Sequence, residues 1–299
     1  MINGIILYNK RDYEKNIRFA QMLAEHGRAS GLELSVAFTE ELIYNGELLS
    51  SLGDPRFVIN RSRNASAARF FEGHNIPVFN SARVSELCND KELTKQHLSR
   101  FYKGSPIPYT EYCTLLLTDM QPYSHSTDIT AALSFPVVAK PSDGHGGSFV
   151  RLLKDEQELK EYLSAVNSHN REHQDERITK LLFERPASDR GKDLRVYVLG
   201  NRILASVLRV QSSSDIRANF SLGAKAFLHT LTDEERELAE RVIRALPSDL
   251  IGVDLIYDNG HPVFNEAEDA VGCRMLYQVS DIDIAKEYIT YIAKERLIR

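Results

Sequence analysis

A lysine followed by a glycine-rich loop is the first feature of the sequence that could perform chemistry. The stretch FPVVAKPSDGHGGSFV, residues 135–150, is an apolar strand that ends on Lys140 and runs into a loop with Gly144, Gly146 and Gly147. Glycines after a strand let backbone N–H groups approach an anion closely, so the loop indicates phosphate binding. The order of residues matches neither a P-loop, in which the lysine follows the glycines, nor the G-x-G-x-x-G dinucleotide fingerprint.

Three carboxylates converge in the predicted hairpin GVDLIYDNGHPVFNEAE. Asn259-Gly260 predicts a tight turn, and pairing outward from it sets Asp254 opposite Asn265 or, with a one-residue bulge, opposite Glu266. Glu266 and Glu268 are two residues apart and therefore share one face of their strand. Oxygen ligands at this density suit Mg²⁺, especially Mg²⁺ that also holds the phosphates of a nucleotide.

Three arginines and an asparagine form a third cluster beyond the segment FERP. Arg195 alternates with apolar residues on a predicted strand, and the other members are Arg209, Arg217 and Asn219. Arginine recognises carboxylate or phosphate through two parallel hydrogen bonds. Taken singly, the arginines could form surface salt bridges, and the carboxylates could be a solvated turn or could pair with Arg274. Together the three clusters indicate a site that handles ATP and stabilises phosphoryl transfer.

The composition is that of a globular chain of roughly two or three domains, with 299 residues, 42% of them hydrophobic and 26% charged. The net charge of -5 argues against a general nucleic-acid binder. Cys88, Cys113 and Cys273 are scattered, so neither a zinc knuckle nor a disulfide framework is indicated, and we expect reduced thiols in the cytoplasm. The N-terminus is expected to be a strand and not a signal peptide, and no segment approaches the ~18 apolar residues of a membrane span.

Alternating strands and helices are predicted for the first ~85 residues, which is typical of a parallel, Rossmann-like α/β unit. A helix with Leu93, His97, Leu98 and Phe101 leads to a second α/β unit that holds the glycine loop. The third unit contains KLLFERP, the hairpin DLRVYVLGNRILASVLRVQ, a helix opened by a capping box and the carboxylate hairpin. A last amphipathic helix is expected from about Asp281.

The order of these parts resembles the ATP-grasp superfamily and, within it, the RimK-like amino-acid ligases. The D-x-R, R-x-N and D...E-x-N elements of that family are matched in order by DLRVYV, DIRANF and GVDL...NEAE. The resemblance covers nearly the whole chain and implies an α/β (α+β) ATP-grasp fold of three domains. The expected domains are a Rossmann-like N-terminal domain, 1–87, a central lid domain with the flap, 88–180, and a C-terminal domain with the magnesium and substrate residues, 181–299. ATP is expected between the last two.

The resemblance also implies a role for each matched residue. Contacts to ATP are expected from two lysines, the flap loop, the adenine-binding segment and the aspartate of the D-x-R element, namely Lys91, Lys140, Gly144, Gly146, Gly147, Ser148, Glu184, Arg185, Pro186 and Asp193. Catalytic roles are expected for Arg195, for Arg209 beside the acyl substrate, and for Arg217 and Asn219 beside the transferring phosphate. The implied metal ligands are Asp254, Glu266 and Glu268.

The implied reaction is the formation of an amide or peptide bond that depends on ATP and Mg²⁺, with Mn²⁺ as an alternative ion. A carboxylate attacks the γ-phosphate to give an acyl-phosphate, and an amine then displaces phosphate. The expected partners are a small-molecule acid and an amine, either amino acids or peptides, with an acceptor that is free or carried on a protein. Nucleic-acid and membrane partners are not expected, and homo-oligomerisation is left open.

Two departures from the family pattern bear on the reaction. Glu268 stands where the family usually has asparagine, which keeps an oxygen ligand and adds a negative charge. The segment DAVGCRMLY replaces a small-residue run with proline beside the substrate, so the identity of the substrate stays open. A kinase that stops at phosphorylation and a nucleotide-binding module without turnover are alternative functions. An NAD(P) oxidoreductase is a poor match, because GIILYNKRDYEK has one glycine where a pyrophosphate turn needs several.

The N-terminal unit is expected to help bind the acyl substrate. Arg61 and Arg63 of INRSRNAS follow a predicted strand and are candidate anchors for a carboxylate, with surface arginines as the simpler explanation. His145, within the flap, is expected to face solvent, with a contact to phosphate as the alternative.

Overall fold

The computed structural model describes residues 1–45, 47–101, 106–117, 126–145, 147, 149–173, 177–210 and 225–297. Within these ranges, three separate sheets and the helices between them follow the order of the chain. Among the described helices, none is long and apolar enough to cross a membrane.

The first sheet is parallel and has the strand order β2-β1-β3-β4. Its strands and helices are β1 (Ile2–Tyr8), α1 (Lys10–Ala29), β2 (Leu32–Phe38), α2 (Leu48–Ser51), β3 (Phe57–Asn60), α3 (Ala65–Gly73) and β4 (Val78–Phe79), with a 3-10 turn at Thr39–Glu41. Strand β1 is apolar without alternation because it is covered on both faces. Ile6 and Tyr8 pack into one core, and Ile5 and Leu7 into another.

The second sheet is antiparallel and has the order β5-β8-β6-β7. Two helices precede it, α4 (Ala82–Cys88) and α5 (Lys91–Phe101), and its own elements are β5 (Tyr112–Leu116), α6 (Ser126–Ala132), β6 (Val137–Pro141), β7 (Arg151–Leu153), α7 (Glu156–Glu172) and β8 (Lys180–Glu184). Helix α7 begins where Asp155 accepts a hydrogen bond from the backbone of Glu158, and it buries Leu159, Leu163 and Val166. The glycine loop connects β6 to β7.

The third sheet is antiparallel and has the order β11-β10-β9-β12-β13. Its elements are β9 (Asp189–Leu199), β10 (Arg202–Val210), β11 (Lys225–Leu228), α8 (Asp233–Ala245), β12 (Leu250–Asp258), β13 (His261–Glu268), α9 (Arg274–Val279) and α10 (Ile284–Tyr291), which continues into a π-helical turn, Ile292–Arg296. The capping box at the start of α8 is present as predicted, with Thr232 and Glu235 each bonding the other's backbone.

A shared apolar core joins the first sheet to the third. Tyr8, Phe57, Tyr197, Leu199 and other buried residues belong to the same cluster, with Tyr288 of α10 among them. A second cluster packs α4 and α5 of the chain against the other face of the third sheet, through Val84, Leu87 and Leu98. The first sheet and helices α4, α5 and α10 therefore pack directly against the third sheet.

The mixed α/β class and the parallel N-terminal unit were predicted correctly. Both predicted hairpins are present, and the last helix begins at Ile284, with Asp283 as its N-cap. Strand β8 pairs with β5 and β6, so Lys180–Glu184 lies in the second sheet even though most of it falls within the third expected domain.

Candidate active site

A cavity opens between the second and third sheets. One wall comes from β6, the glycine loop and the end of β8, and the other comes from β9, β12 and β13. Val138, Pro186 and Ile256 supply apolar surface, and charged groups line the same cavity, including Lys91, Lys140, Asp193, Glu266 and Glu268. A cavity with both apolar surface and charged groups suits a ligand with a flat base and phosphates.

Two lysines share one buried glutamate at the edge of this cavity. Lys140 Nζ lies 2.5 Å from Oε2 of Glu184, and Lys95 Nζ lies 2.8 Å from Oε1. Register explains the first contact, because β6 and β8 are antiparallel neighbours. Helix α5 supplies the second, since Lys95 lies one turn beyond Lys91 on the same face. The result is a buried Lys–Glu–Lys cluster with an excess of one positive charge.

Electrostatics keep Glu184 ionised. Burial acts to raise the pKa of Glu184, but Lys140 and Lys95 outweigh it and lower that pKa to about 2. Burial lowers the pKa of Lys95, with Glu184 opposing this effect. Lys95 is completely buried, and its ammonium lies 5.4 Å from the centre of the Tyr109 ring, 5.8 Å from that of Tyr112 and 5.9 Å from that of Phe264. Aromatic faces attract a cation and partly replace the water that it has lost.

The start of α5 fixes Lys91 beside the flap loop. Lys91 Nζ donates to the carbonyl oxygen of Gly144 at 2.5 Å and lies 3.6 Å from Oε2 of Glu266. Asp90 accepts from the Ser142 hydroxyl at 2.6 Å and pairs with Lys180 at 2.5 Å. These contacts bind the helix terminus to the end of β6, so Lys91 bridges the flap and the carboxylates.

Three carboxylates meet on the wall formed by β12 and β13. The hairpin contains the one-residue bulge that the sequence analysis had left undecided. Asp254 lies opposite Glu266 and Leu255 lies opposite Phe264, so Asn265 is the extra residue. Oxygen atoms of Asp254, Glu266 and Glu268 lie within 4.8 Å of one another. Asp254 is buried behind the other two, which line the cavity.

Two arginines neutralise the buried side of this trio. Arg195 donates from Nε and Nη2 to the two oxygens of Asp254, at 2.8 and 2.6 Å, and its Nη2 lies 2.9 Å from Glu268. Arg209 pairs with Asp193 and donates from Nη2 to Asp254 at 2.8 Å. Like charges this close require such compensation. The arginines therefore hold the carboxylates together from behind.

The arginines also set the protonation of the carboxylates. Burial favours a higher pKa for Asp254, but Arg195 and Arg209 lower it to about 2. Glu268 shows the same balance, with burial opposed by Arg195 and its pKa lowered. Burial raises the pKa of Asp193, and the nearby Asp254 adds to this effect while Arg209 opposes it. Asp254 and Glu268 are thus charged at neutral pH, which a metal ligand must be.

The donor set fits Mg²⁺. It consists of carboxylate oxygens, and two of the three groups face the cavity in which phosphates would complete the coordination of the ion. When bound, Mg²⁺ would supply positive charge to the phosphate oxygens. Among the described residues, the trio pairs with Arg195, Arg209 and Lys91, and no ion pair to the exposed Arg274 is recorded.

A contact between two loops holds the part of the cavity wall at Arg185 and Pro186. Arg185, which directly follows β8, makes a two-point ion pair with Asp258 at 3.2 and 2.6 Å. The backbone N–H of Ser188 also donates to Asp258, and its hydroxyl accepts from the backbone N–H of Asn259. The tip of the β12–β13 hairpin therefore fixes the segment that was predicted to meet adenine, while the side chain of Arg185 points to the hairpin.

The structure brings most of the predicted site residues together. Those that line the cavity are Lys91, Lys140, Gly144, Gly147, Glu184, Arg185, Pro186, Asp193, Glu266 and Glu268. Arg195, Arg209 and Asp254 lie buried behind its wall. Gly146, Ser148, Arg217 and Asn219 lie outside the described residues. Exposed His145 lies at the cavity, which agrees with the expectation of a solvent-facing flap residue.

Arg61 was a candidate substrate anchor, and the structure places it elsewhere. It is 2% exposed, donates from Nη2 to the Val271 carbonyl at 2.8 Å and lies over the Phe19 ring. Both readings of Arg61, surface residue and carboxylate anchor, are therefore wrong, because it belongs to the junction between the first sheet and the loop before α9. Arg63 is paired with Asp12 at 2.6 Å and is partly exposed.

Two functional contacts escaped the sequence-based interpretation. Lys95 was passed over, although its spacing of four residues from Lys91 places both on one helical face. Asp258 was not singled out, and only the fold reveals its pair with Arg185. No local pattern identifies that pair, because the two residues are 73 positions apart.

Comparison with known proteins agrees with this geometry. Residues 109–292 match the family model of the RimK-like ATP-grasp domain. A probable alpha-L-glutamate ligase of Pasteurella multocida is 29% identical over 242 residues, which are 81% of this chain and 72% of that protein. Beta-citrylglutamate synthase B of Homo sapiens is 27% identical over 259 residues, covering 83% of this chain and 63% of that protein.

Solved structures share the fold at lower identity. D-alanine–D-alanine ligase of Bacillus anthracis complexed with ATP has a TM-score of 0.69 at 18% identity, with 99% of each chain covered. An ATP-grasp RimK domain protein of Sphaerobacter thermophilus has a TM-score of 0.69 at 19% identity, with 97% of this chain and 99% of that chain covered. The predicted α/β ATP-grasp class is confirmed, and so is the predicted enzyme class, an ATP-dependent carbon–nitrogen ligase. The family model covers more than half of the sequence, so the chain belongs to the RimK-like ATP-grasp family.

Proposed function

We propose that the protein joins a carboxylic acid to an amine through an acyl-phosphate, with ATP as the phosphoryl donor and Mg²⁺ as the cofactor. One observation carries this proposal. Lys91, Lys140, Glu266 and Glu268 face the same cavity, so the cations and carboxylates of a phosphoryl-transfer site meet at one place. Mn²⁺ has the same preference for oxygen ligands and is the alternative ion.

Different residues along the cavity bind different parts of the nucleotide and the metal. Val138, Pro186 and Ile256 hold the base, and Lys140 and Lys91 contact the phosphates, with Gly144 and Gly147 letting the flap backbone approach them. Asp254, Glu266 and Glu268 hold the metal. Arg195 and Arg209 act from behind the cavity wall by keeping the metal ligands charged and oriented. Arg217 and Asn219 are proposed, from the family pattern alone, to face the transferring phosphate.

The chemical step needs no covalent enzyme intermediate. A carboxylate oxygen of the acid attacks the γ-phosphorus, the bond to the bridging oxygen breaks, and ADP leaves with that bonding pair. The nitrogen of the amine then attacks the acyl carbon, inorganic phosphate leaves, and the nitrogen releases a proton. Side chains that are already in place stabilise the charge that develops at each stage.

The substrates are proposed to be amino acids or short peptides. The relatives from Pasteurella multocida and Homo sapiens are named as a glutamate ligase and a citrylglutamate synthase, and this suggests glutamate as the first substrate to test. The acceptor is either free or carried on a protein. We propose the three domains that the sequence suggests, with the boundary between the second and third moved beyond Glu184 because β8 belongs to the second sheet. We also propose that the nucleotide lies between the second and third sheets and that the location is cytoplasmic, which suits the reduced cysteines.

A kinase would use the same nucleotide and metal residues and would stop at the phosphorylated acid. A binding module without turnover would have little need for three charged metal ligands supported by two buried arginines. The ligase is therefore the best-supported function.

A substrate screen tests the proposal. Phosphate release is followed with ATP, Mg²⁺ and pairs of acids and amines, and the products of active pairs are identified by mass spectrometry. Turnover that needs the amine and yields an amide supports the ligase. Release of ADP without any need for an amine points to the kinase, and ATP binding with no turnover in any pair points to the binding module.

A further inference from the structure

The bulge in β13 brings an uncharged polar residue to the cavity. Phe264 and Ala267 are three residues apart, yet both pack into the same apolar core. Asn265 and Glu266 lie between them, and both line the cavity. In a regular strand, consecutive side chains point to opposite faces, so two neighbours can share the cavity only because the bulge adds a residue. The bulge therefore adds Asn265 to a wall that otherwise presents carboxylates.

The position of the bulge is fixed on both sides of the strand. Toward β12, Leu255 lies opposite Phe264. On the other side, the backbone N–H of Phe264 donates to the Pro108 carbonyl at 2.8 Å. A slip of β13 by one residue would turn its carboxylates away from the cavity, so the register is strongly specified. Asn265 directly follows this fixed residue and is held at the cavity with it.

Asn265 is the second partner of the Lys140 ammonium. Nζ of Lys140 lies 2.5 Å from Oε2 of Glu184 and donates to Oδ1 of Asn265 at 3.4 Å. An ammonium has three N–H donors and no acceptor, so one donor of Lys140 remains after these two contacts. Glu184 belongs to the second sheet and Asn265 to the third, so the ammonium is held between the two walls of the cavity.

The absence of charge on the amide preserves the positive charge of the lysine. Glu184 already pairs with both Lys140 and Lys95, which leaves an excess of one positive charge. A carboxylate at position 265 would offset that charge and would repel the oxygens of a phosphate. Asn265 accepts a hydrogen bond from Lys140 without changing the net charge. The attraction of this part of the cavity for an anion is therefore retained.

We propose that Asn265 is a positioning residue for nucleotide binding, which holds Lys140 between the two cavity walls so that the remaining N–H of the ammonium donates to a phosphate of ATP. This inference rests on the proposed position of the nucleotide and adds a residue to that site. Asn265 acts through Lys140 and needs no contact of its own with the nucleotide. The amide should therefore matter only while the lysine is present.

A double-mutant cycle on the full chain tests this role. Calorimetry with Mg²⁺ measures the affinity for a non-hydrolysable ATP analogue in wild type, Asn265→Leu, Lys140→Met and the double variant. We expect Asn265→Leu to bind about fivefold more weakly than wild type, and Lys140→Met about tenfold or more. The double variant should bind within about twofold of Lys140→Met, because the leucine has no further effect once the ammonium is gone. A general distortion of the cavity by Asn265→Leu would instead weaken binding by the same factor in both backgrounds.

Two further variants separate the hydrogen bond from the charge. Asn265→Asp keeps the size and the acceptor but adds a negative charge, so it should weaken binding of the analogue at least as much as Asn265→Leu. The control is Asn3→Leu, at an exposed asparagine of β1, which should bind as wild type does.

The inference is overturned if Asn265→Leu or Asn265→Asp binds the analogue as tightly as wild type, or if the effects of Asn265→Leu and Lys140→Met are additive. If Lys140→Met itself binds like wild type, the proposed placement of the phosphates fails together with this inference. Failure of the ligase reaction is distinguishable from both, because it would appear as absent amide formation in the substrate screen even if the cycle shows the expected coupling.

Discussion

Arg195 and Asp254 form a two-point ion pair at the centre of the third sheet, with Nε–Oδ1 at 2.8 Å and Nη2–Oδ2 at 2.6 Å. The pairing of β9 with β12 places the two residues directly opposite each other. Asp254 is completely enclosed, so its negative charge depends on the two arginines that contact it. The proposed metal ligands are thus supported by two arginines that lie behind the cavity wall.

Arg195→Met should destabilise the fold by about 3 kcal/mol, because it leaves a buried carboxylate with one partner fewer. It should also weaken metal binding, since Asp254 and Glu268 lose the group that orients them. Urea unfolding and Mn²⁺ titration measure the two effects. The control is Arg244→Met on the exposed face of α8, which should cost less than about 1 kcal/mol. Equal costs for the two variants would contradict a supporting role for Arg195.

Lys95→Met should reduce ATP affinity by about tenfold although Lys95 does not line the cavity. Without Lys95, Glu184 is neutralised by Lys140 alone, so the cluster loses its excess positive charge toward the phosphates. Methionine suits the three aromatic rings around the site, so the protein should stay folded. Calorimetry with ATP gives the affinity, and Lys160→Met, on the exposed face of α7, serves as the control. If Lys95→Met binds ATP as tightly as the parent does, Lys95 does not contribute to the ATP site.

Glu184→Gln should change how stability depends on pH. The folded-state pKa of Glu184 is depressed to about 2, so its contribution to stability is present above the unfolded pKa near 4.5 and is lost as the pH falls toward 2. The variant should therefore be less stable than the parent at pH 7, by on the order of 3 kcal/mol, with the difference narrowing below about pH 5. Chemical unfolding across this range measures it. The free energy of unfolding of Glu156→Gln, a change at an exposed position, should follow that of the parent across the pH range. If the stability difference between Glu184→Gln and the parent is the same at every pH, the ionisation of Glu184 is not linked to folding.

Glu266→Gln should nearly abolish activity, whereas Glu268→Asn should retain most of it. The first removes a charged oxygen ligand that faces the cavity, and the second keeps an oxygen at a position where the family usually has asparagine. Initial rates over a range of Mg²⁺ concentrations distinguish them. If Glu268→Asn is as damaging as Glu266→Gln, Glu268 has a further role, such as accepting a proton from the incoming amine. If neither change matters, the metal site lies elsewhere.

Short-range sequence patterns predicted the local structural elements of this protein well. The β12–β13 hairpin, the capping box of α8 and the convergence of Asp254 with Glu266 all follow from turn chemistry and strand alternation. The bulge was the one local detail left open, because the two registers share every pair from the turn to Leu255–Phe264 and differ only beyond it, where both are compatible with the sequence.

Long-range contacts were less accessible from the sequence. Arg61 follows a strand in a polar segment, which is typical of a surface residue, yet it lies over the Phe19 ring of α1 and donates to the Val271 carbonyl in the loop before α9. Lys95 was missed for the same reason, because it lies on α5 and its buried partner Glu184 lies at the end of β8, distant in the sequence. Charged residues in the core are identified by their partners, and those partners are known only once the fold is known.

The fate of an oxygen atom tests the acyl-phosphate mechanism most directly. An acid substrate from the screen is labelled with ¹⁸O in its carboxylate and converted with ATP, Mg²⁺ and the amine, and the released phosphate is analysed by mass spectrometry. If the carboxylate attacks the γ-phosphorus, one labelled oxygen is transferred to inorganic phosphate for each amide formed, and ADP is the other product. Amide formation with unlabelled phosphate, or with AMP in place of ADP, would contradict the account.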